Sequence, residues 1–304
     1  MNKPKEKILV LKGGFSDENT ISLKTAKNVE RAIKDLGYDF DSIDCKDNFI
    51  DKISNSDFDL CFNALHGEFG EDGQIQALLE KIGIKYTHSG VSSSILSMNK
   101  ALAKEIFIKN DIPTPDFVIR HVNEISNNDI PIPSVIKPTD NGSSLGVYII
   151  LNESDKINIV KVLKNWKFGN HVMIENYING RELTCGVINN KPTEIMEIIP
   201  SNLFYDFETK YTKGKSNYEH VTDLPNDVYK KIQELALKCH MSLGCKGITR
   251  TDFRLKKLKI PYVLETNTNP GLTKTSLVPK LAALQGISYN KLIDIIIKDG
   301  LCQN

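Results

Sequence analysis

ILVLKGGFSDENTISLKTAKNVERAIKDLG, residues 8–37, opens on four consecutive aliphatic residues and closes on a glycine. Ile8 to Leu11 is too short for a buried helix and suits a strand covered on both faces. Gly13-Gly14 then makes a turn that needs residues without a Cβ. A helix follows with Leu23, Ala26, Ala32, Ile33 and Leu36 on one face, and Gly37 is its stop. The pattern recurs. Asp59 to Leu65 reads as a second buried strand, runs into His66-Gly67, and precedes a helix spaced by Ile75, Leu78, Leu79 and Ile82 that stops at Gly83. Strands alternating with helices predict an α/β fold, a parallel sheet covered by helices.

Near residue 97 the character changes. Ser97-Met98-Asn99-Lys100 leads into a helix through Leu102 and Ile106, ended by Asn110-Asp111 and two prolines. Hairpin-like strands follow, Ser134 to Lys137 and Gly146 to Ile150, with a glycine and serine loop between them. Further strands are expected at Val172–Glu175 and Leu183–Val187, separated by Asn179-Gly180. Residues 208–222 have almost no aliphatic content and read as a surface loop. Pro225 starts a helix with Val228, Ile232, Leu235 and Ala236 inward. Thr251–Leu255 and Tyr262–Glu265 read as paired strands around a basic turn.

The chain has 304 residues, enough for two or three packed domains. Its 39 Lys and Arg nearly cancel 38 Asp and Glu, so no global basic field favours nucleic acid or an anionic membrane. No apolar run approaches the ~20 residues of a membrane helix, and the expectation is a cytoplasmic protein. The six cysteines show no metal-like spacing and are expected as buried free thiols.

Two clusters carry chemistry. Lys137 ends one strand, and the small residues Gly142, Ser143 and Ser144 precede the next, so backbone N–H groups and a lysine charge can approach phosphate oxygens. A plain hairpin loop is the competing reading. The second cluster is sharper. Residues two apart on a strand share a face, which places Arg250 with Asp252 and Glu265 with Asn267. If the strands are antiparallel neighbours, two carboxylates and an amide oxygen converge as a hard-oxygen set suited to Mg²⁺. His66 and Glu18 each follow the C-terminal end of a strand, where parallel sheets place ligands.

Gly13-Gly14-Phe15-Ser16-Asp17-Glu18, Ala64-Leu65-His66-Gly67 with Gly70-Glu71-Asp72-Gly73, and Tyr86 to Gly90 resemble motifs of the D-alanine–D-alanine ligases. So do Ser97 to Lys100, the Lys137 loop, Phe204 to Tyr211, Gly244 to Gly247, and Glu265 to Gly271 with Ser276-Leu277-Val278-Pro279. The ordered series spans nearly the whole chain. It implies a Rossmann-like N-terminal substrate domain over residues 1–96, followed by a two-lobed ATP-grasp module: an ATP-binding lobe over 97–178 and a lobe over 179–304 with the metal and substrate loop.

The resemblance also implies roles. ATP would be co-substrate, its phosphates held by Lys100, Lys137 and the Gly142-Ser143-Ser144 backbone. Glu175, Asn176, Tyr177 and the backbone near Ile178 would face adenine, and Glu182 the ribose. Asp252, Glu265 and Asn267 would bind two Mg²⁺, with Mn²⁺ able to substitute. Glu18 would meet the ammonium of the first D-alanine and His66 its carboxylate, while Ser276 and Leu277 would hold the second. Glu18, Ser143 and Tyr211 would form a hydrogen-bonded group drawing the 208–222 loop over the site. Lys210 would neutralise the migrating phosphoryl charge, and Arg250 with the Gly271 N–H the tetrahedral oxyanion. D-alanyl-D-alanine for peptidoglycan precursor synthesis is the implied product. D-alanine and ATP are the implied partners, a homodimer is admitted, and neither nucleic acid nor membrane is expected. Asn19-Thr20 and Thr222 to Pro225 depart from the usual pattern without touching an assigned position. Two other readings compete: a ligase forming the D-lactate ester, disfavoured by Tyr211, and a nucleotide-binding relative without turnover, disfavoured by the presence of Arg250, Asp252 and Asn267.

Overall fold

The computed structural model describes residues 6–54, 57–200 and 216–302. Strands β1 (Lys7–Lys12), β2 (Asp39–Asp44), β3 (Leu60–Asn63) and β4 (Lys85–Tyr86) form a parallel sheet in the order β2-β1-β3-β4. Helices α1 (Asn19–Leu36), α2 (Phe49–Ser54) and α3 (Gln74–Ile82) connect them. The aliphatic run of β1 is buried on both sides because its residues alternate between two cores. Ile8 and Val10 pack with Val29 and Ile33 of α1, whereas Leu9 and Leu11 pack with Phe49, Ile53, Ile75 and Leu79. The first core is completed from the far end of the chain: Leu292, Ile293, Ile296 and Ile297 of α9 (Tyr289–Cys302) close it. Tyr38 donates a hydrogen bond to Asp294 (3.0 Å) across the same junction.

Leu23 does not join the buried face of α1; it is 39% exposed. Ser22 and Thr25 are buried instead, because the first turns of α1 face the carbonyl-rich ends of the strands rather than their aliphatic middles. Ser22 Oγ donates to the Ala64 carbonyl (2.7 Å) and accepts from the Gly13 N–H (2.8 Å).

After α4 (Val91–Met98) and α5 (Lys100–Lys109), a second sheet forms from β5 (Phe117–His121), β6 (Ser134–Pro138), β7 (Tyr148–Ile150) and β8 (His171–Asn176). It is antiparallel in the order β5-β8-β6-β7. Ile136, Val172 and Ile174 pack under α6 (Glu153–Leu163), so their sequence neighbours Val135, Lys137 and Glu175 point the other way.

The third sheet is antiparallel: β9 (Arg181–Ile188), β10 (Lys191–Pro200), β11 (Ser216–His220), β12 (Ile248–Lys256) and β13 (Ile260–Asn267), in the order β11-β10-β9-β12-β13. Leu183, Cys185, Val187, Phe253 and Leu255 form its core with α7 (Asn226–Ser242), leaving Thr184, Arg250 and Asp252 on the opposite face. The loop expected over 208–222 is corrected at its end, where Ser216–His220 is an edge strand paired to β10. The backbone ladder holds it despite the lack of aliphatic residues, and Tyr218 packs against Met196, Ile198 and Leu281 of the adjoining core. Helix α8 (Leu277–Leu284) precedes α9. No helix among the described residues is long and apolar enough to cross a membrane.

Candidate active site

The three sheets meet around two adjoining cavities of about 410 and about 80 Å³. Lys100, Asn141 and Glu265 line both. No cysteine lines either one; five are buried, and burial pushes the Cys45, Cys61 and Cys185 thiols up to about 12.

The β12–β13 register sets Arg250 opposite Asn267 and Asp252 opposite Glu265, as the strand periodicity requires. The Arg250 guanidinium forks onto Asp252 through Nε (3.0 Å) and Nη2 (2.8 Å). Thr184, across from Asp252 on β9, donates its hydroxyl to Asp252 Oδ1 at 2.7 Å. Sequence reading gave Thr184 no role. Asn267 Oδ1 accepts the Asn269 N–H (3.0 Å), and buried Asn269 reaches back to the Leu65 carbonyl (2.8 Å), tying this strand end to the first sheet. Among the described residues no three His, Cys, Asp or Glu side chains gather as a closed metal cage. Two carboxylates and an amide oxygen fit a hard divalent ion that shares its remaining positions with phosphate and water.

Lys137, Ser144, Glu175, Asn176, Tyr177, Ile178 and Glu182 line the smaller cavity, a slot walled by Val135, Val147, Ile149 and Leu264. Lys137 Nζ lies 2.6 Å from Glu175 Oε1, and Lys104 Nζ lies 2.9 Å from Oε2. Burial works against the Glu175 charge, yet the two lysines hold its pKa below the ordinary carboxylate range. Glu182 pairs with Arg254 (2.9 Å). An apolar slot with a few charged groups at its rim suits a flat heterocycle.

Glu18, His66, Gly142, Ser143, Gly271, Ser276 and Leu277 line the larger cavity. Ser143 has φ 53° and Ser144 φ 58°, so the loop turns through the left-handed region at two non-glycine residues. There the Ser143 hydroxyl donates to Glu18, joining the glycine and serine loop to the end of the first sheet. Lys100 donates to the Asn141 carbonyl in the same loop. Both ring nitrogens of His66 have partners: Nδ1 meets Glu71 (2.9 Å) and Nε2 meets Thr25 (2.9 Å). Burial opposes a charge on His66, but the Glu71 hydrogen bond and the charges of Glu71 and Glu18 hold its pKa above the ordinary imidazole value. Gly67 sits at φ +70°, where a side chain is strained, and an added Cβ would lie 2.7 Å from Glu18 Oε2 and push that carboxylate aside. Ser276 precedes α8 at its N-terminal position, and its hydroxyl shares a hydrogen bond with that of Thr273 (2.7 Å) instead of capping the helix. Lys210 and Tyr211 lie outside the described residues.

Family models described as the D-ala D-ala ligase C-terminus and N-terminus match residues 106–298 and 46–89. A D-alanine–D-alanine ligase of Pelagibacter ubique is 43% identical over 302 residues, covering 97% of this chain and 98% of that protein. One from Wolbachia pipientis is 43% identical over 298 residues, covering 97% and 94%. The crystal structure of D-alanine–D-alanine ligase from Bacillus anthracis complexed with ATP superposes with a TM-score of 0.84 at 33% identity, covering 98% of both chains. With both family models matched in chain order and relatives 43% identical over 97% of its length, the chain belongs to the D-alanine–D-alanine ligase family.

Proposed function

We propose that this chain joins two D-alanines into D-alanyl-D-alanine with cleavage of one ATP to ADP and phosphate, supplying a peptidoglycan precursor. The observation that carries this reading is that Lys100, Asn141 and Glu265 line both the larger cavity and the nucleotide slot. A phosphate chain reaching out of the slot thus meets Glu18, which accepts from Ser143, across one continuous chamber. In this reading residues 1–96 supply the substrate side, 97–178 the nucleotide lobe and 179–304 the metal and second-substrate side, with the chemistry carried out in the cytoplasm.

The slot takes the adenine, with Glu175 at the base edge and Glu182 at the ribose. Lys100, Lys137 and the Gly142-Ser143-Ser144 backbone hold phosphate oxygens. Asp252, Glu265 and Asn267 hold Mg²⁺, with Mn²⁺ an alternative, which when bound offsets phosphate charge. Glu18 anchors the ammonium of the first D-alanine beside His66. A carboxylate oxygen of that D-alanine attacks the γ-phosphorus and ADP leaves, giving D-alanyl phosphate. The second D-alanine is held by its carboxylate at Ser276 and the Leu277 N–H at the start of α8, where backbone donors favour an anion. Its ammonium loses a proton, the amine attacks the acyl carbon, and inorganic phosphate departs. Arg250, fixed in orientation by Asp252, and the Gly271 N–H stabilise the tetrahedral oxyanion. Lys210 neutralises the migrating phosphoryl charge and Tyr211 acts with Glu18 and Ser143, while exclusion of water protects the acyl phosphate.

The test is release of ADP and phosphate with D-alanine, L-alanine and D-lactate as acceptors. D-alanine-dependent release with dipeptide as product is expected; release that ignores D-alanine refutes the reading.

A further inference from the structure

Lys104 is 0% exposed and lies one helical turn beyond Lys100 on the inner face of α5. Lys104 Nζ donates to Thr114 Oγ1 at 2.6 Å and to the Pro115 carbonyl at 3.1 Å, and it forms an ion pair with Glu175 Oε2 at 2.9 Å. Thr114 passes the link on by donating to the Val263 carbonyl (2.8 Å). The group is therefore a fixed strut joining α5, the segment before β5, β8 and β13. It does not itself line the slot, whereas Glu175 and Lys137 do.

We propose that Lys104 is a positioning residue for the nucleotide site: from beneath the slot it keeps Glu175 ionised and aimed at the base edge, and so sets a preference for 6-aminopurines. This rests on the reading of the slot as the adenine pocket. A carboxylate there accepts a hydrogen bond from a 6-amino group and repels a 6-oxo group, whose lone pairs face it. Glu175 is 4% exposed, so its charge depends on its two cations. With Lys104 removed, Lys137 is the remaining counter-charge, and burial drives the carboxyl toward its neutral form. A neutral carboxyl has an O–H to donate and no longer distinguishes the two purines. The charged groups facing Lys104 are Glu175 and Lys137 from the two strands above it and Asp116 from the segment before β5. Burial brings its own pKa down to about 8, a fall that the neighbouring Glu175 charge opposes.

The test is calorimetric binding of ATP and of inosine triphosphate to the full chain without D-alanine, comparing wild type with Lys104→Met. ATP affinity is expected to fall by about 10- to 100-fold, the usual worth of a hydrogen bond to a charged group, while inosine triphosphate affinity stays within about threefold. In steady state the KM for ATP rises while the KM for D-alanine holds. Equal loss of both nucleotides, or no change in their ratio, overturns the proposal. Should Lys104→Met fold poorly, Lys104→Met with Glu175→Gln removes both charges together. Its ATP-to-inosine ratio should match that of Glu175→Gln alone, and a further additive loss refutes a role exerted through Glu175. ADP release by wild type with D-alanine reads the ligase assignment separately, so the two ideas fail on different measurements.

Discussion

Replacing Thr184 with valine tests the metal assignment through a residue that would touch neither metal nor substrate. Thr184 is fully buried, and its hydroxyl donates to Asp252 Oδ1 at 2.7 Å. The same oxygen also accepts from Arg250 Nε at 3.0 Å. Valine keeps the β-branched shape that suits the strand but removes this donor. A hydrogen bond to a charged group is worth about 1.5–3 kcal/mol, and burying an extra methyl returns about 0.8 kcal/mol. The expected net loss of stability is thus about 1–2 kcal/mol, a few degrees of melting temperature for a chain of this size. Partners that orient a metal ligand contribute about 10- to 100-fold in metal affinity, about 1.4–2.8 kcal/mol, the same range reached from the hydrogen bond. In an ADP-release assay titrated with Mg²⁺, half-saturation should therefore move up by about 10- to 100-fold, with kcat recovering once Mg²⁺ saturates. An unchanged Mg²⁺ half-saturation in the folded variant would refute the assignment of Asp252 as a ligand.

Asp252→Asn and Asn267→Ala should each lower turnover by roughly a hundredfold or more while the far-ultraviolet circular dichroism stays native; wild-type rates at limiting Mg²⁺ contradict this. Gly67→Ala places a methyl against Glu18 and costs about 1–2 kcal/mol for its left-handed backbone, so the KM for D-alanine should rise, measured by steady-state kinetics. His66 holds its proton above the ordinary imidazole value of 6.5, so its contribution to stability is full below pH 6.5 and is lost as pH rises through the folded value. Urea melts at stepped pH should show that loss, and Glu71→Gln should flatten it. With D-alanine and D-lactate at equal concentration at neutral pH, mass analysis should find mainly dipeptide, because a neutral phenol at Tyr211 does not repel an incoming ammonium; mainly ester product counts against that role.

The paired strand ends were legible because the two-residue period alone decides which side chains share a face. Arg250, Asp252, Glu265 and Asn267 needed only the antiparallel neighbour the structure supplies. The alternation of β1, β3, α1 and α3 was legible for the same reason. The edge strand β2, Asp39–Asp44, was not, since its acidic sequence carries no aliphatic run and its pairing comes from the backbone of β1. Nor does the sequence show that β8 and β9, five residues apart, belong to different sheets. Gly180 marks that change of direction: a Cβ there would lie 2.1 Å from the Leu255 carbonyl oxygen. Thr184, Lys104, Glu71 and Asn269 went unassigned because a single polar residue in a strand, helix or turn says nothing of what it touches across the fold. Thr184, Lys104 and Asn269 reach Asp252, Glu175 and Leu65 across the fold, and Glu71 meets His66 only because the loop between them folds back.

The dependence of the first sheet on the last helix has a consequence for synthesis. Ile8, Val10, Leu60 and Phe62 leave the ribosome early, yet α9, which covers them, follows about two hundred residues after β4. At ordinary elongation rates this face, partly covered by α1, waits roughly 10–40 s for its last layer, a window in which holdase chaperones can reach it. A stop codon just before Tyr289 would leave the part of that face beyond α1 uncovered for good. The damage would appear at the opposite end of the chain from the lesion, as protease sensitivity around β1 and α1 rather than as a frayed carboxyl terminus.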